Sequence, residues 1–162
     1  MQDAVVVTLK TFEIELAGHV AMKRVMFNLE RHARERYGAI SELGGFDYHF
    51  AGCLGEIATA KHCNLYWSGG VGDYGVADVG NRLQVRARTR SHYELPLHNE
   101  DKDADPFVLV HVIASCLPRV RLAGWVRAAE GKKPEFWKDP GSGRPAFFVP
   151  LNHLRSMKEL DL

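Results

Sequence analysis

Apolar residues in the first part of the chain recur at helical spacing. Phe12, Leu16, Val20, Val25, Leu29 and Ala33 mark one side of a 3.6-residue period and predict a helix over 11–36. Thr11 starts it, Glu13 and Glu15 load its first turn with negative charge, and Arg31, Arg34 and Arg36 load its end with cations before Gly38. That charge order suits the helix macrodipole. Ala51, Leu54, Ala58 and Cys63 give a second apolar side, predicting a helix capped by Asp47 and running to about residue 63. The pattern then changes to alternation: Leu83, Val85 and Ala87 are apolar, and Gln84, Arg86 and Arg88 between them are polar. This is the period of a half-buried strand. The unbroken apolar run from Phe107 to Ile113 predicts a strand buried among other elements.

Shorter signals fill the rest. Leu65-Tyr66-Trp67 is extended, and the stretch from Gly69 to Gly75 is too rich in glycine for regular structure. It lacks the Gly-Lys-Ser/Thr ending of a phosphate-binding loop. Residues 93–97 are expected to extend the sheet, 121–127 and 147–149 to be strands, 135–138 a helical turn, and 150–160 a terminal helical segment. Helices and strands mixed along 162 residues, 46% of them hydrophobic and 25% charged, predict one α/β (α+β) domain spanning 1–162. With 21 basic and 20 acidic residues the net charge is +1, so attraction to nucleic acid has to come from a local patch. No apolar run approaches the roughly twenty residues of a membrane span. Three cysteines in an odd count without a signal sequence fit a reducing cytoplasm, so a soluble, cytoplasmic protein is expected.

Candidate chemistry concentrates between Gly55 and Arg88. Glu56 lies on the second helix, Asp78 enters a hairpin, and Gln84-Val85-Arg86 leaves it. Two carboxylates and an amide carbonyl suit a hard divalent cation such as magnesium, and a neighbouring arginine can stabilise charge on phosphorus. A two-residue turn at Gly80-Asn81 puts Asp78 and Gln84 on opposite faces. A three-residue loop from Gly80 to Arg82 pairs Val79 with Leu83 and brings Asp78, Gln84 and Arg86 to one face, with Leu83, Val85 and Ala87 on the core side. The longer loop is therefore expected. Arg82, Arg86, Arg88 and Arg90 share the parity of Gln84 along this segment, which suits either a phosphate track or a solvated strand face.

The eight histidines are scattered without a His-Glu-x-x-His pair, and Cys53, Cys63 and Cys116 have no paired spacing, so zinc is not expected. The segments Gly55-Glu56, Tyr66-Trp67, Asp78-Val79-Gly80, Leu83-Gln84-Val85-Arg86, Pro106-Phe107-Val108-Leu109-Val110, Gly124-Trp125 and Phe148-Val149-Pro150, in this order over about residues 11–157, resemble small phage- and prophage-encoded members of the PD-(D/E)XK nuclease superfamily, in the form where glutamine replaces the second acidic residue. The resemblance implies a restriction-endonuclease-like core of helix, three-stranded meander, helix and further strand, with the site at one edge of a mixed sheet. It also implies a nuclease dependent on Mg2+ or Mn2+ that hydrolyses phosphodiester bonds of nucleic acid, with DNA the expected substrate and the host cytoplasm its location if phage-encoded. Glu56 would be the helix acid, Asp78 the metal-bridging aspartate, Gln84 the third ligand and Arg86 the catalytic cation; Arg82, Arg88 and Arg90 would bind nucleic acid.

The departure is Arg86, where the family pattern has lysine. A guanidinium keeps its charge but does not exchange a proton as lysine does. Lys61 follows Glu56 by five residues, about 140° around the helix, and is an imperfect substitute. The same residues also have plainer roles: Glu56 as a solvated helix carboxylate, Asp78 as a turn former, Gln84 and Arg86 as the wet face of an edge strand. The alternative function is accordingly a catalytically inactive nuclease-fold protein that binds nucleic acid or a protein partner. Tyr66, Trp67 and Trp137 are expected in the core, with contact to a protein partner their alternative role; Asp73 is an alternative ligand, and Asp101 and Asp103 are outer candidates. A nuclease of this size gains selectivity from a partner, a homodimer or a special DNA structure.

Overall fold

A four-stranded sheet runs through the middle of the fold. The computed structural model describes residues 4–31 and 45–162. The strands are β1 (Val5–Thr8), β2 (Gln84–Arg88), β4 (Pro106–His111) and β5 (Arg119–Arg127), in the order β1-β5-β4-β2. β5 is antiparallel to both β1 and β4, and β2 is parallel to β4, so the sheet is mixed and β2 is one of its edges. A second sheet, β3-β7-β6, joins β3 (Leu95–Leu97), β6 (Trp137–Lys138) and β7 (Ala146–Val149). Helices α1 (Thr11–Glu30) and α2 (Phe46–Cys63) cover one face of the large sheet, and the four-residue α3 (Ala128–Gly131) continues β5.

The large sheet is therefore the middle of three layers. Val108 and Val110 of β4 pack with Ala17, Leu54 and Ala58 of the helices, whereas Phe107 and Leu109 pack with Leu95, Leu97 and Val149 of the second sheet. Cover on both faces explains why β4 is apolar without alternation. On β2, Val85 faces the helices, but Gln84, Arg86 and Arg88 are half-buried along a cavity.

Several sequence expectations change. The expected first helix ends at Glu30 among the described residues, and its further extent, with Arg34 and Arg36, lies outside them. Its buried face is Ala17, Val20, Ala21, Val25 and Asn28, leaving Phe12, Leu16 and Leu29 exposed. Small alanines on that face let α1 approach α2 closely, and the rotation carries Arg24 toward the cavity. Asp47 sits in the first turn of α2, behind an N-cap at Gly45. The parallel pairing of β2 with β4 needs a crossover, and the chain makes it through the second sheet. Residues 95–97 consequently form β3 there instead of extending the large sheet. The terminal segment is two 3-10 turns, Leu151–His153 and Met157–Glu159, because Arg155 between them is extended and exchanges backbone hydrogen bonds with Trp125 (2.8 and 3.0 Å). The large sheet also departs from a sequential three-stranded meander: β1 comes from ahead of the helices, and Asp78 belongs to a short arm held by one bridge, Val79 with Leu83.

Candidate active-site cleft

That bridge defines the hairpin loop. Val79 and Leu83 exchange backbone hydrogen bonds of 3.1 and 3.3 Å, leaving Gly80, Asn81 and Arg82 as a three-residue loop. Gly80 has φ +59°, a conformation that glycine adopts without Cβ strain. Leu83 and Val85 enter the core, while Asp78, Gln84 and Arg86 line one cavity. The Asp78 side chain folds back on its own hairpin, where Oδ2 accepts from the Val85 N–H at 2.7 Å.

The cavity, about 580 Å³, follows the edge of β2 from the helix layer to the second sheet. Glu56 reaches it from α2, Arg24 from α1, Gly70 and Asp73 from the glycine-rich loop, and Asp101 from the connection before β4. Helix α2 can lie this close because it crosses the sheet at Gly55. A Cβ there would stand 3.3 Å from the Cβ of Ala87 and 3.5 Å from that of Val110.

Glu56 is no solvated helix carboxylate. It is 6% exposed and held by a two-pronged pair: Arg24 Nη1 donates to Oε1 and Nη2 to Oε2, each at 2.9 Å, and Trp67 Nε1 donates to Oε2 at 2.7 Å. Arg24 Nε also donates to the Gly70 carbonyl at 2.9 Å, tying the glycine-rich loop to the same carboxylate. Burial works against the Arg24 charge, but its bonds to Glu56 outweigh this and raise its pKa. Asp78 has no such neutralising bond among the described residues. Its burial and the nearby charge of Glu56 push its carboxyl up to about 6, against the opposing Val85 N–H and the fields of Arg86 and Arg24.

Arg86 is positioned and largely neutralised. Its Nη2 donates to Asp101 Oδ1 at 2.9 Å, its guanidinium lies 4.7 Å from the centre of the Phe107 ring, and its buried Nε has no hydrogen-bond partner. Asp101 is fixed in turn by the His98 N–H on Oδ2 at 2.8 Å. Arg88 stacks on Tyr93 at 4.6 Å and has no carboxylate partner among the described residues; its Nε is buried and unbonded, and burial lowers its pKa.

The expected four-arginine track reduces to these two. β2 spans only Gln84–Arg88, so Arg82 lies in the hairpin loop, where Nη2 donates to the Ala104 carbonyl at 3.0 Å, and Arg90 is exposed beyond the strand. Neither lines the cleft. Lys61 is tied to Glu13 (2.8 Å) and the Thr8 carbonyl (3.0 Å), away from the cleft, and exposed Asp103 pairs with Lys132. Asp73 lines the cavity but is exposed. Tyr66 and Trp137 are exposed, whereas Trp67 belongs to the Glu56 cluster. Burial pushes the Cys53 thiol up to about 12, leaving it inert as a nucleophile.

Sequence reasoning missed Arg24, the bond from Trp67, and the role of Asp101 as the partner of Arg86. One signal for Arg24 was legible: it stands between Val20 and Asn28 at i±4, a charge on the stripe that faces the second helix. Trp67 and Asp101 carry no comparable signal, because both lie in irregular connections where no period marks which way a side chain faces.

The donor set fits a hard divalent cation in kind. Among the described residues, Asp78 Oδ1 and the Gln84 amide take no hydrogen bond, and Glu56, with three bonds on about four lone-pair sites, retains one. Among the described residues, no three His, Cys, Asp or Glu side chains gather as a metal site, so Gln84 and water would have to complete the set. The chain matches no family model, no curated protein and no solved structure. No helix among the described residues is long and apolar enough to cross a membrane.

Proposed function

We propose that the cleft hydrolyses phosphodiester bonds of nucleic acid, with DNA the expected substrate, in the manner of a PD-(D/E)XK nuclease with the restriction-endonuclease-like fold. The observation that carries this reading is the convergence of Glu56, Asp78, Gln84, Arg86 and Arg88 on one cavity at a sheet edge. Asp78 and Gln84, with Glu56, would hold Mg2+ or Mn2+, which supplies a Lewis acid and an activated water when bound. Arg86, held by Asp101 and Phe107, keeps a fixed donor geometry toward a phosphate oxygen. Arg88, unpaired, offers its full charge to a flanking phosphate.

The second reading is a nucleic-acid-binding protein without cleavage. It draws on the Arg24–Glu56 and Arg86–Asp101 pairs, which neutralise the helix acid and the strand cation within the chain itself.

Cleavage of single-stranded, double-stranded and branched DNA, and of RNA, with Mg2+ or Mn2+ separates the two. The nuclease reading expects metal-dependent cutting that falls about a hundredfold or more in Asp78→Ala. Cutting by Arg86→Lys alone would mark a site disabled at one residue. Binding without cutting by wild type, Asp78→Ala and Arg86→Lys alike would establish the second reading.

A further inference from the structure

Arg24 has every nitrogen of its guanidinium engaged: two on Glu56 and one on the Gly70 carbonyl. Its charge is felt by Asp78 as well as by Glu56, so it acts on both carboxylates of the proposed metal site. This is the neutralising task a divalent cation would perform there, and two cations sharing one carboxylate repel each other strongly in a half-buried site. Arg86 is tied to Asp101. A guanidinium released from Glu56 would therefore be the cleft's newly available cation. Released, it would also let go of the glycine-rich loop at Gly70.

We propose that Arg24 is the resident counter-ion of this cleft, that a divalent cation at Glu56 displaces it, and that the freed guanidinium then meets the substrate phosphate. The inference rests on the metal-dependent reading above. It makes the empty and loaded cleft two discrete arrangements of the same side chains, with Arg24 and Trp67 reporting the exchange.

Mn2+ affinity measured by electron paramagnetic resonance on wild type, Arg24→Gln and Arg24→Lys gives the first test. Removing the competitor in Arg24→Gln should tighten binding by about tenfold or more, an ordinary size for coupling between two ligands of one site. Arg24→Lys, which keeps the charge, should stay near wild type. Equal or weaker binding by Arg24→Gln overturns the proposal. Loss of charge by itself favours a cation, and Arg24→Gln leaves Glu56 buried and unpaired, so the deciding experiment uses wild type. In an NMR titration with Mg2+, the Arg24 Nε–H should lose its protection from exchange and the Trp67 indole signal should move, both at the Mg2+ concentration that shifts Asp78 and Gln84. Shifts at Asp78 and Gln84 with Arg24 still protected overturn the exchange but leave the metal reading standing. Absence of any Mg2+ or Mn2+ binding overturns both.

Discussion

A carboxyl group buried beside a second carboxylate holds its proton more tightly in the fold than in the unfolded chain, and Asp78 is in that position next to Glu56. Its folded value, about 6, lies above the ordinary 3.8. Below the ordinary value both states are protonated and Asp78 has no effect on stability. Between the two values the folded state binds more protons, so stability falls as pH rises, and above the folded value the full destabilisation is present. Asp78→Asn should therefore raise the Tm at neutral pH by the equivalent of up to about 3 kcal/mol, with the gain disappearing near the lower value. Thermal melts of both proteins across this range check it. A gain independent of pH would mean that Asp78 is destabilised by its packing and not by its charge. The acids themselves were legible in the sequence; their unequal treatment was not, since Arg24 reaches Glu56 from 32 positions away.

At the scale of elements, α2 and β2 place the site together, and Gly55 sets their separation. Both neighbours of its missing Cβ lie on strands, so a larger side chain has to push the helix off the sheet. Gly55→Val should cost about 1–3 kcal/mol in urea unfolding, and by lifting Glu56 it should break the Trp67 hydrogen bond, readable in the indole NMR signal. Unchanged stability would show that α2 tolerates a shift at this crossing. The hairpin register was readable because side-chain alternation admits one loop length that sends Leu83 and Val85 inward and Asp78 and Gln84 outward. The face of α1 was less legible. Phe12, Leu16 and Leu29 outrank Ala17 and Ala21 in hydrophobicity, yet helix packing selected the alanines for close approach.

For the whole molecule, a net charge of +1 supplies no long-range field for nucleic acid, so binding at the proposed site depends on a few cations in the cleft. With Arg82 and Arg90 outside the cleft and Arg86 paired, Arg88 is the one strand arginine that lines the cavity without a carboxylate partner among the described residues, with Lys102 and Arg144 on the loops around it. Arg88→Ala should weaken DNA binding across sequences and lower the slope of log affinity against log salt by about one. Fluorescence anisotropy at several salt concentrations measures this; an unchanged slope would remove Arg88 from the interface.

The sequence by itself determined the two long helices, the strands around residues 84–88, 107–111 and 121–127, and the parity of the hairpin, because helix and strand periods and turn chemistry are local. It also singled out Glu56, Asp78, Gln84, Arg86 and Arg88, which the fold gathers along one cavity. Only the tertiary structure decided how many strands the large sheet has, which face of α1 is buried, and where each charge goes. β1 joins β5 across more than a hundred residues, Arg24 takes Glu56, and Asp101 takes Arg86. Those outcomes depend on which distant surfaces meet and which charges lose water together, and no local pattern encodes either.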